Sequence, residues 1–440
     1  MRVFRLTASL LLAASLPYFA GCGGSNTVLT PQPPLARGNL DSLSSAVTIM
    51  RSTMAADQNS AIITPIGGAP QCDVSLYTLK YATTGVNGER ANASAGLFLP
   101  TAACGAGPYP LVSYEHGTNI VRAQLISDPS TVDETLTAPD QLPVVVAAIF
   151  ASHGYAVVAT DYLGLGLSTY PYHPYLHADS EASAAIDALR AARQATQRLG
   201  VALSGGVFIT GHSQGAQAAV ATQRAIERDN ASEFHVLGDA PSSGPYALSQ
   251  SFLDGVVHPT QDASIFSTYT FTGYQKIYGN VYNTPADVFQ LPYANGIESL
   301  LPVPTLHNQA ALEGQKLPLD VRALLQPAFV SDFVNNPNNS LRQDLVKNDL
   351  LNGWKPVAPV FLCGGSRDPE VEFKNATAAQ TYFSSVGPPV PLTDVNPLIP
   401  PSVPLINYHV TVADFCLTIA RAKFFDALKA TATARRSTVR

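Results

Sequence analysis

The spacing of the hydrophobic residues changes along the chain. Residues 73–81 and 93–99 alternate apolar and polar side chains, as strands with one buried face do. The turn around Val86-Asn87-Gly88 separates them, so these two segments predict an antiparallel hairpin. From Tyr109 onward the apolar residues form short continuous runs instead, at 111–114, 155–160, 206–210 and 357–362. Such runs are typical of strands buried on both faces.

Helical segments lie between and after these runs. Residues 182–197 and 215–228 are rich in Ala, Gln and Arg, and a further helix is predicted over about 412–430. Strands that alternate with helices predict an α/β fold, in which a mostly parallel sheet carries helices on both faces. The hairpin would add antiparallel strands at one edge of that sheet.

Residues 246–350 interrupt this alternation. They carry scattered aromatic side chains and short helical windows, without a strand between them. A loop of this length is expected to be functional or to form a subdomain. We therefore predict a helical cap inserted between two parts of one core, 39–245 and 351–440. The alternative is a second structural domain that has no contact with any site.

Composition narrows the class of protein. Charged residues make up 13% of the 440 residues, whereas about 25% is usual. The net charge of −6 argues against a nucleic-acid-binding surface. The hydrophobic fraction of 46% can form a sizeable core and argues against disorder.

The first residues have the pattern of an export signal. Arg2 and Arg5 precede an apolar stretch, 6–20, that is too short to span a membrane. Residues 1–21 are therefore predicted to be a signal peptide. The segment Phe19-Ala20-Gly21-Cys22 resembles a bacterial lipobox, which predicts a lipid anchor on Cys22 and a tether over 22–38. The protein would then be membrane-anchored on the periplasmic or outer surface; ordinary secretion is the alternative.

Four further cysteines remain, an even number that suggests two disulfides in an exported chain. Cys72 and Cys104 stand at the open ends of the predicted hairpin, so we expect them to pair. Cys363 and Cys416 then pair by elimination. No CxxC spacing supports a metal site, and none is predicted.

The strongest local motif is Gly211-His212-Ser213-Gln214-Gly215. It follows the predicted strand 206–210 and precedes a helix, the context that a nucleophile elbow requires. Small residues at 211 and 215 permit the sharp turn, which would expose the Ser213 hydroxyl above the sheet. The helix amino terminus behind it favours developing negative charge. The alternative is an ordinary glycine-rich turn.

A serine nucleophile also needs donors for the oxyanion. The segment Tyr114-Glu115-His116-Gly117-Thr118 closes a predicted strand and suits this role. We expect the backbone N–H groups of Thr118 and Gln214 to be the two donors. His116 is a minor candidate for the base, because its position suits a structural role.

The base and acid should lie on later loops. Of nine histidines only His409 follows the insertion, and Asp368 follows the predicted strand 357–362. The order Ser213, Asp368, His409 matches that of a hydrolase triad. Asp239, after a strand over 234–238, is a competing acid. Glu370 and Glu372 are further alternatives.

At this point the chain resembles the α/β-hydrolase superfamily, and within it the secretory lipase group and related bacterial lipoprotein esterases. The resemblance rests on four segments, which are 114–118, 154–166, 213–215 and Trp354-Lys355-Pro356. The family often has Tyr where this chain has His212 and Gly where it has Ala216. The resemblance implies hydrolysis of carboxylic esters beneath a helical cap, without metal or organic cofactor.

Two other functions remain open from the sequence. One is a serine peptidase of the prolyl-oligopeptidase type, and the other is a binding lipoprotein on an inactive hydrolase fold. The expected partner is a small-molecule ester or lipid, with no nucleic acid. A dense aromatic run over 170–177 either lines the site or packs against the cap.

Overall fold

The computed structural model describes residues 36–57, 59–123, 126–127, 142–304 and 317–431. The predicted signal peptide, Cys22 and nearly all of the tether lie outside these residues. In the described part, ten strands form one sheet. The strands are β1 (Leu40–Leu43), β2 (Val47–Ile49), β3 (Val74–Thr84), β4 (Arg90–Pro100), β5 (Tyr109–Glu115), β6 (Ala156–Thr160), β7 (Leu203–His212), β8 (His235–Ser242), β9 (Leu362–Gly364) and β10 (Leu392–Asp394).

The sheet is antiparallel at one edge and parallel elsewhere. Its order is β1-β3-β4-β6-β5-β7-β8-β9-β10, and β2 also pairs with β3. The hairpin of β3 and β4 is paired over its whole length, and β4 joins β6 in antiparallel orientation. From β6 to β10 every pairing is parallel. The predicted α/β class with an antiparallel edge is confirmed.

The helices pack on this sheet or form the insertion. They are α1 (Arg51–Ala56), α2 (Ser60–Gly67), α3 (Leu142–Ile149), α4 (Ala178–Arg198), α5 (Gln214–Asp229), α6 (Leu248–Val257), α7 (Ala263–Tyr278), α8 (Val321–Leu324), α9 (Pro327–Asn335), α10 (Ser340–Lys347), α11 (Lys374–Val386) and α12 (Tyr408–Ile419). A π-helical segment, Ala420–Phe425, continues α12. Buried alanines along α4 allow this helix to approach the sheet closely.

Two predicted boundaries near the carboxyl terminus are wrong. The strand expected over 357–362 begins only at Leu362, because Pro359 has no N–H to donate and only Val360 forms an isolated bridge, with Asp239. The last helix begins at Tyr408 rather than near Val412, because a 3₁₀ turn over Leu405–Asn407 leads directly into it. The strands β1, β2 and β10 were not predicted from the sequence.

The insertion buries its apolar side chains in one cluster, to which Val121, Tyr175 and Leu176 also belong. Helices α6 to α10 bury a set of large side chains together: Leu248, Phe252, Phe271, Tyr274, Leu324, Phe333 and Leu345. The N–H of Leu350 donates to the carbonyl of Tyr246 over 2.9 Å, so the two ends of the insertion meet. The helical character of this stretch agrees with the prediction.

Both predicted disulfides are formed. Cys72–Cys104 joins the open ends of the β3–β4 hairpin, with Cα atoms 5.5 Å apart. Cys363–Cys416 joins β9 to α12 over a Cα separation of 5.6 Å. Among the helices described here, none is both long and apolar enough to span a membrane.

Candidate active site

Ser213 stands in the sharp turn between β7 and α5. Its φ of 60° and ψ of −124° place a non-glycine residue in a sparsely populated region, which costs about 1–3 kcal/mol. The N–H of Ser213 donates to the carbonyl of Ser242 over 2.9 Å, which helps to hold the turn. The residue is 7% exposed and borders a cavity.

The glycines on either side of Ser213 are required by close packing. A Cβ atom at Gly215 would lie 1.9 Å from the carbonyl oxygen of Glu115, and one at Gly211 would lie 2.2 Å from the carbonyl oxygen of Gly215. Contacts this short are impossible for a side chain. The turn is thus pressed against the end of β5, as a nucleophile elbow requires.

Asp368 and His409 are joined by a hydrogen bond. Nδ1 of His409 donates to Oδ2 of Asp368 over 2.7 Å. The other carboxylate oxygen accepts from the N–H groups of Glu370 and Val371, at 3.0 and 3.1 Å. His409 lies in the first turn of α12 rather than on the loop before it. Its Nε2 has no hydrogen-bond partner within the described part of the chain.

The surroundings of His409 favour its charged form. Burial opposes protonation, but the hydrogen bond and negative charge of Asp368, together with Glu370 and Asp262, raise the pKa of His409 above its usual value. The ring of His212 lies against that of His409, with centroids 4.3 Å apart. Burial and the neighbouring His409 lower the pKa of His212 well below its usual value, so His212 is neutral. The residue at 212, where the resembling family often has Tyr, is thus in contact with the His409 ring.

The competing acids occupy other environments. Asp239 is fully buried in β8, where burial and the charges of Glu227 and Glu115 raise its pKa well above the usual range. Neither of its carboxylate oxygens has a hydrogen-bond partner among the residues that the structure describes. Glu372 forms an ion pair with Lys374. Asp368 is therefore the carboxylate that the fold brings to Nδ1 of His409.

Glu370 is nevertheless close to His409 on its other side. Its Oε2 lies 3.8 Å from Nε2 of His409, the ring nitrogen opposite the one that Asp368 holds. This separation is too long for a hydrogen bond. Burial is the main cause that raises the pKa of Glu370 to about 7. The sequence suggested Glu370 only as an alternative acid, and the structure places it beside Nε2, on the side of the imidazole opposite Asp368.

His116 has a structural environment. Its Nδ1 donates to the carbonyl of Gly117 over 2.7 Å, and its ring packs on Tyr162 with centroids 4.6 Å apart. Burial lowers the pKa of His116 to about 4, so it is neutral at physiological pH. The expectation that His116 supports the site rather than acting as its base agrees with this geometry.

The loop that carries Thr118 runs beside the elbow. A Cβ atom at Gly117 would lie 3.6 Å from Cβ of Ser213, so this loop and the turn are in contact. Gln214 is the first residue of α5, where backbone N–H groups have no partner within the helix. No hydrogen bond between described residues uses the N–H of Thr118 or Gln214. Both N–H groups are thus unpaired within the described part of the chain.

The cavity in front of Ser213 has a volume of about 80 Å³. Its walls come from the turn at Ser213, the insertion, and the loop 365–373 that carries Asp368, here called the acid loop. The apolar lining residues are Leu176, Pro245, Phe252, Ala263, Phe266 and Val371. The polar side chains include Glu370, Glu372 and Asn375. No group of three or more potential metal ligands was found among the described side chains.

Tyr175 belongs to the aromatic run 170–177, which the sequence offered either as a wall of the site or as packing against the cap. Its hydroxyl is 2.7 Å from the Thr118 hydroxyl, and its ring stacks on Tyr269 of α7 with centroids 4.5 Å apart. It also lines the cavity. The aromatic run 170–177 therefore both lines the site and packs on the insertion. The high density of tyrosines in this run is the feature of the sequence that indicated such a role.

Comparison with known proteins relates this architecture to lipases and esterases. A family model described as secretory lipase matches residues 128–251. The crystal structure of the rice cell wall degrading esterase LipA from Xanthomonas oryzae is 37% identical and has a TM-score of 0.79, covering 90% of this chain and 100% of that chain. No curated protein sequence matches the chain significantly.

Two more distant structures share the fold. A putative hydrolase from Legionella pneumophila is 24% identical with a TM-score of 0.76, covering 89% of this chain and 98% of that chain. Candida antarctica lipase A in its closed state is 14% identical with a TM-score of 0.59, covering 81% and 76% respectively. At these identities the likeness concerns the fold alone.

Proposed function

Because the chain belongs to the secretory lipase family of α/β-hydrolases and is a carboxylic ester hydrolase, we propose that Ser213, His409 and Asp368 are its catalytic triad and that the reaction passes through an acyl-enzyme. The observation that carries this proposal is the 2.7 Å hydrogen bond from His409 to Asp368, which leaves Nε2 of the ring open. The strained turn that presents Ser213 to the cavity supports it.

The proposed reaction has two acyl transfers. Nε2 of His409 takes the proton of the Ser213 hydroxyl while the Ser213 oxygen attacks the ester carbonyl. The N–H groups of Gln214 and Thr118 stabilise the oxyanion of the tetrahedral intermediate. His409 then returns the proton to the leaving alcohol. Water attacks the acyl-enzyme by the same route and releases the carboxylic acid.

Asp368 acts through His409. Its carboxylate fixes the imidazole with the proton on Nδ1, so that Nε2 is the base, and it stabilises the imidazolium that forms. The N–H groups of Glu370 and Val371 hold the carboxylate in place. This arrangement supports the assignment of Asp368 as the acid in preference to Asp239.

We further propose that residues 246–350 serve as a cap over this site. Phe252 of α6 and Phe266 of α7 line the same cavity as Ser213. Tyr269, also of α7, stacks on Tyr175 beside the proposed oxyanion donor. These contacts make the insertion one wall of the cavity. A separate domain without contact to the site would have none of them.

Export is supported by the secretory family and by the signal pattern of residues 1–21. We propose in addition that Cys22 carries a lipid, which would hold the protein at a membrane. The lipobox-like segment before Cys22 is the basis of this proposal. The substrate is proposed to be a small ester or lipid.

Replacement of the nucleophile tests the mechanism. Purified Ser213→Ala should hydrolyse p-nitrophenyl butyrate at only a residual rate, with an unchanged melting temperature. A fluorophosphonate probe should label the wild-type protein at Ser213 alone, as read by peptide mapping. A peptide anilide, tested beside the ester, should not be cleaved. Retained turnover in Ser213→Ala, or labelling at another serine, would refute the proposed triad.

A further inference from the structure

The carboxylate of Glu370 faces the nitrogen that the proposed mechanism uses. Its Oε2 is 3.8 Å from Nε2 of His409, and its side chain is 14% exposed. Nε2 is the atom that returns a proton to the leaving alcohol oxygen. A carboxylate beside it must therefore lie near the alcohol part of a bound ester.

Glu370 is held in this position from two sides. Its backbone N–H donates to Oδ1 of Asp368 over 3.0 Å, which ties it to the acid loop. From the insertion, the N–H of Gln261 donates to the carbonyl of Pro369 over 3.0 Å. The side-chain amide of Gln261 also approaches Oε1 of Glu370 at 3.4 Å. These contacts fix the loop against the insertion and keep the carboxylate at the site.

The charges around Glu370 do not cancel its own. The titratable groups that act on it are His409, Asp368 and, from the insertion, Asp262. Glu372 also lines the cavity, but its charge is paired. Nζ of Lys374 lies 2.5 Å from Oε2 of Glu372 and 2.9 Å from Oδ2 of Asp254. Among the described residues that line the cavity there is no Lys or Arg. When His409 is neutral, as a general base must be, an anion in this cavity would therefore meet an uncompensated carboxylate.

We infer that Glu370 is a specificity-determining residue, which selects esters by the charge of their alcohol part. This inference rests on the proposed function, because it uses Nε2 of His409 as the proton donor to the leaving oxygen. A cation or a hydrogen-bond donor next to the ester oxygen is attracted by the carboxylate, whereas an anion there is repelled. Phe252 and Phe266 on the cavity wall add apolar surface that suits an alkylammonium group.

The selectivity should depend on pH. Burial raises the pKa of Glu370 to about 7, so its carboxylate is largely ionised at pH 8.5 and largely protonated at pH 5.5. Protonation of His409 lowers the rate for every ester alike, and it cancels in a ratio of rates. If the preference for cationic over neutral esters grows from pH 5.5 to 8.5, the change therefore reports the ionisation of Glu370.

Three butyrate esters that differ in charge test the inference. They are the cationic choline ester, its neutral isostere the 3,3-dimethylbutyl ester, and the anionic glycolate ester, all followed by pH-stat titration. At pH 8.5 we expect kcat/KM for the choline ester to exceed that for the isostere at least about tenfold, which corresponds to about 1.4 kcal/mol. The glycolate ester should fall below the isostere by a similar factor.

Two matched variants identify the residue responsible. Glu370→Gln keeps the size of the side chain and should bring both ratios to within about threefold of one. Glu372→Gln removes a neighbouring carboxylate that Lys374 already pairs, so both ratios should stay near their wild-type values. If both variants brought the ratios equally close to one, the charge preference would come from the general electrostatic field of the cavity and not from Glu370. That result would overturn the inference.

The wild-type protein provides a test without substitution. Both ratios should move towards one at pH 5.5, and a charge preference that is absent or independent of pH would overturn the inference even if Glu370→Gln failed to fold. The proposed function has a separate readout, which is the hydrolysis of the neutral isostere. If Ser213→Ala abolishes that reaction while the ratios stay near one, only the inference about Glu370 fails.

Discussion

The side-chain amide of Gln214 donates to Glu181 over 2.7 Å, so the residue behind the proposed nucleophile is anchored to the first turn of α4. Nδ1 of His173 lies 2.8 Å from the carbonyl of Leu163 and donates to it, which leaves Nε2 as an acceptor 2.9 Å from the same amide. Oε1 of Glu181 also accepts from the N–H of Leu176. Two buried acceptors thus fix the orientation of Gln214, whose backbone N–H is a proposed oxyanion donor.

Glu181→Ala should therefore reduce kcat about tenfold while changing KM little, because a displaced oxyanion donor weakens binding of the transition state more than that of the substrate. Glu181→Gln retains an acceptor oxygen and should recover most of the rate. Steady-state kinetics on a neutral ester measure both effects. An equal loss in the two variants, or a change in KM alone, would contradict a positioning role for Glu181.

The identity of the acid can be tested by a matched pair of substitutions. Asp368→Asn should lower kcat by several orders of magnitude, because the amide no longer holds the required tautomer of His409. Asp239→Asn should retain activity, because neither carboxylate oxygen of Asp239 has a hydrogen-bond partner among the described residues, whereas Asp368 bonds to His409. Both variants are assayed with p-nitrophenyl butyrate beside His409→Ala, which should be as inactive as Ser213→Ala. An active Asp368→Asn with an inactive Asp239→Asn would reassign the acid.

The acid limb of the pH profile should lie above pH 6.5. His409 acts as a base only when neutral, and the net effect of its surroundings is to raise its pKa. Activity is therefore lost as pH falls through a value higher than that of a free imidazole. Glu370→Gln removes one of the negative charges that raise this pKa, so its acid limb should move to lower pH. A wild-type profile of kcat/KM with its midpoint below 6.5 would contradict the electrostatic picture.

Features that depend on neighbouring residues could be predicted from the sequence. The elbow is a strand, a turn with glycines at 211 and 215, and a helix, so a few adjacent residues define it. The hairpin follows from alternation over 73–81 and 93–99, and the Cys72–Cys104 pairing follows from the hairpin. In each case the feature follows either from the regular spacing of apolar side chains or from the residue types in a turn.

Contacts between distant segments could not be predicted in this way. The sequence left open whether the aromatic run 170–177 lines the site or packs on the insertion. Tyr175 does both, because it stacks on α7, about a hundred residues later in the chain. Glu370 faces Nε2 of His409 because the acid loop is held by Gln261 of the insertion. A sequence pattern does not give the direction of a side chain on an irregular loop, so it placed Glu370 only among the alternative acids.

The proposed lipid anchor can be tested in cells. Cys22→Ser should release the protein from the membrane fraction, because one cysteine would carry the acyl chains that hold it there. Fractionation followed by immunoblotting measures the change, and mass spectrometry of the wild-type amino-terminal peptide should show the added lipid. Cys72→Ser serves as a control cysteine substitution. A wild-type protein that is soluble and unmodified would leave ordinary secretion as the explanation.

The disulfide Cys363–Cys416 should matter for activity as well as for stability. Cys363 lies in β9, five residues before Asp368, and Cys416 lies in α12, seven residues after His409. The bond therefore joins the two elements that carry the proposed acid and base. It spans 53 residues, and by the loop-entropy model a bond of this span contributes about 4 kcal/mol to the free energy of unfolding.

The double variant Cys363→Ala/Cys416→Ala should accordingly have a lower melting temperature and, at temperatures where it is folded, a lower kcat. Catalytic groups must be held within about 0.5 Å, so even a small shift of α12 relative to β9 should separate His409 from Asp368. Cys72→Ala/Cys104→Ala is the matched control, because that bond spans 32 residues but joins hairpin ends that carry no proposed catalytic group. It should lower the melting temperature with little change in kcat. Equal effects of the two double variants on kcat would show that loss of Cys363–Cys416 acts only through global stability.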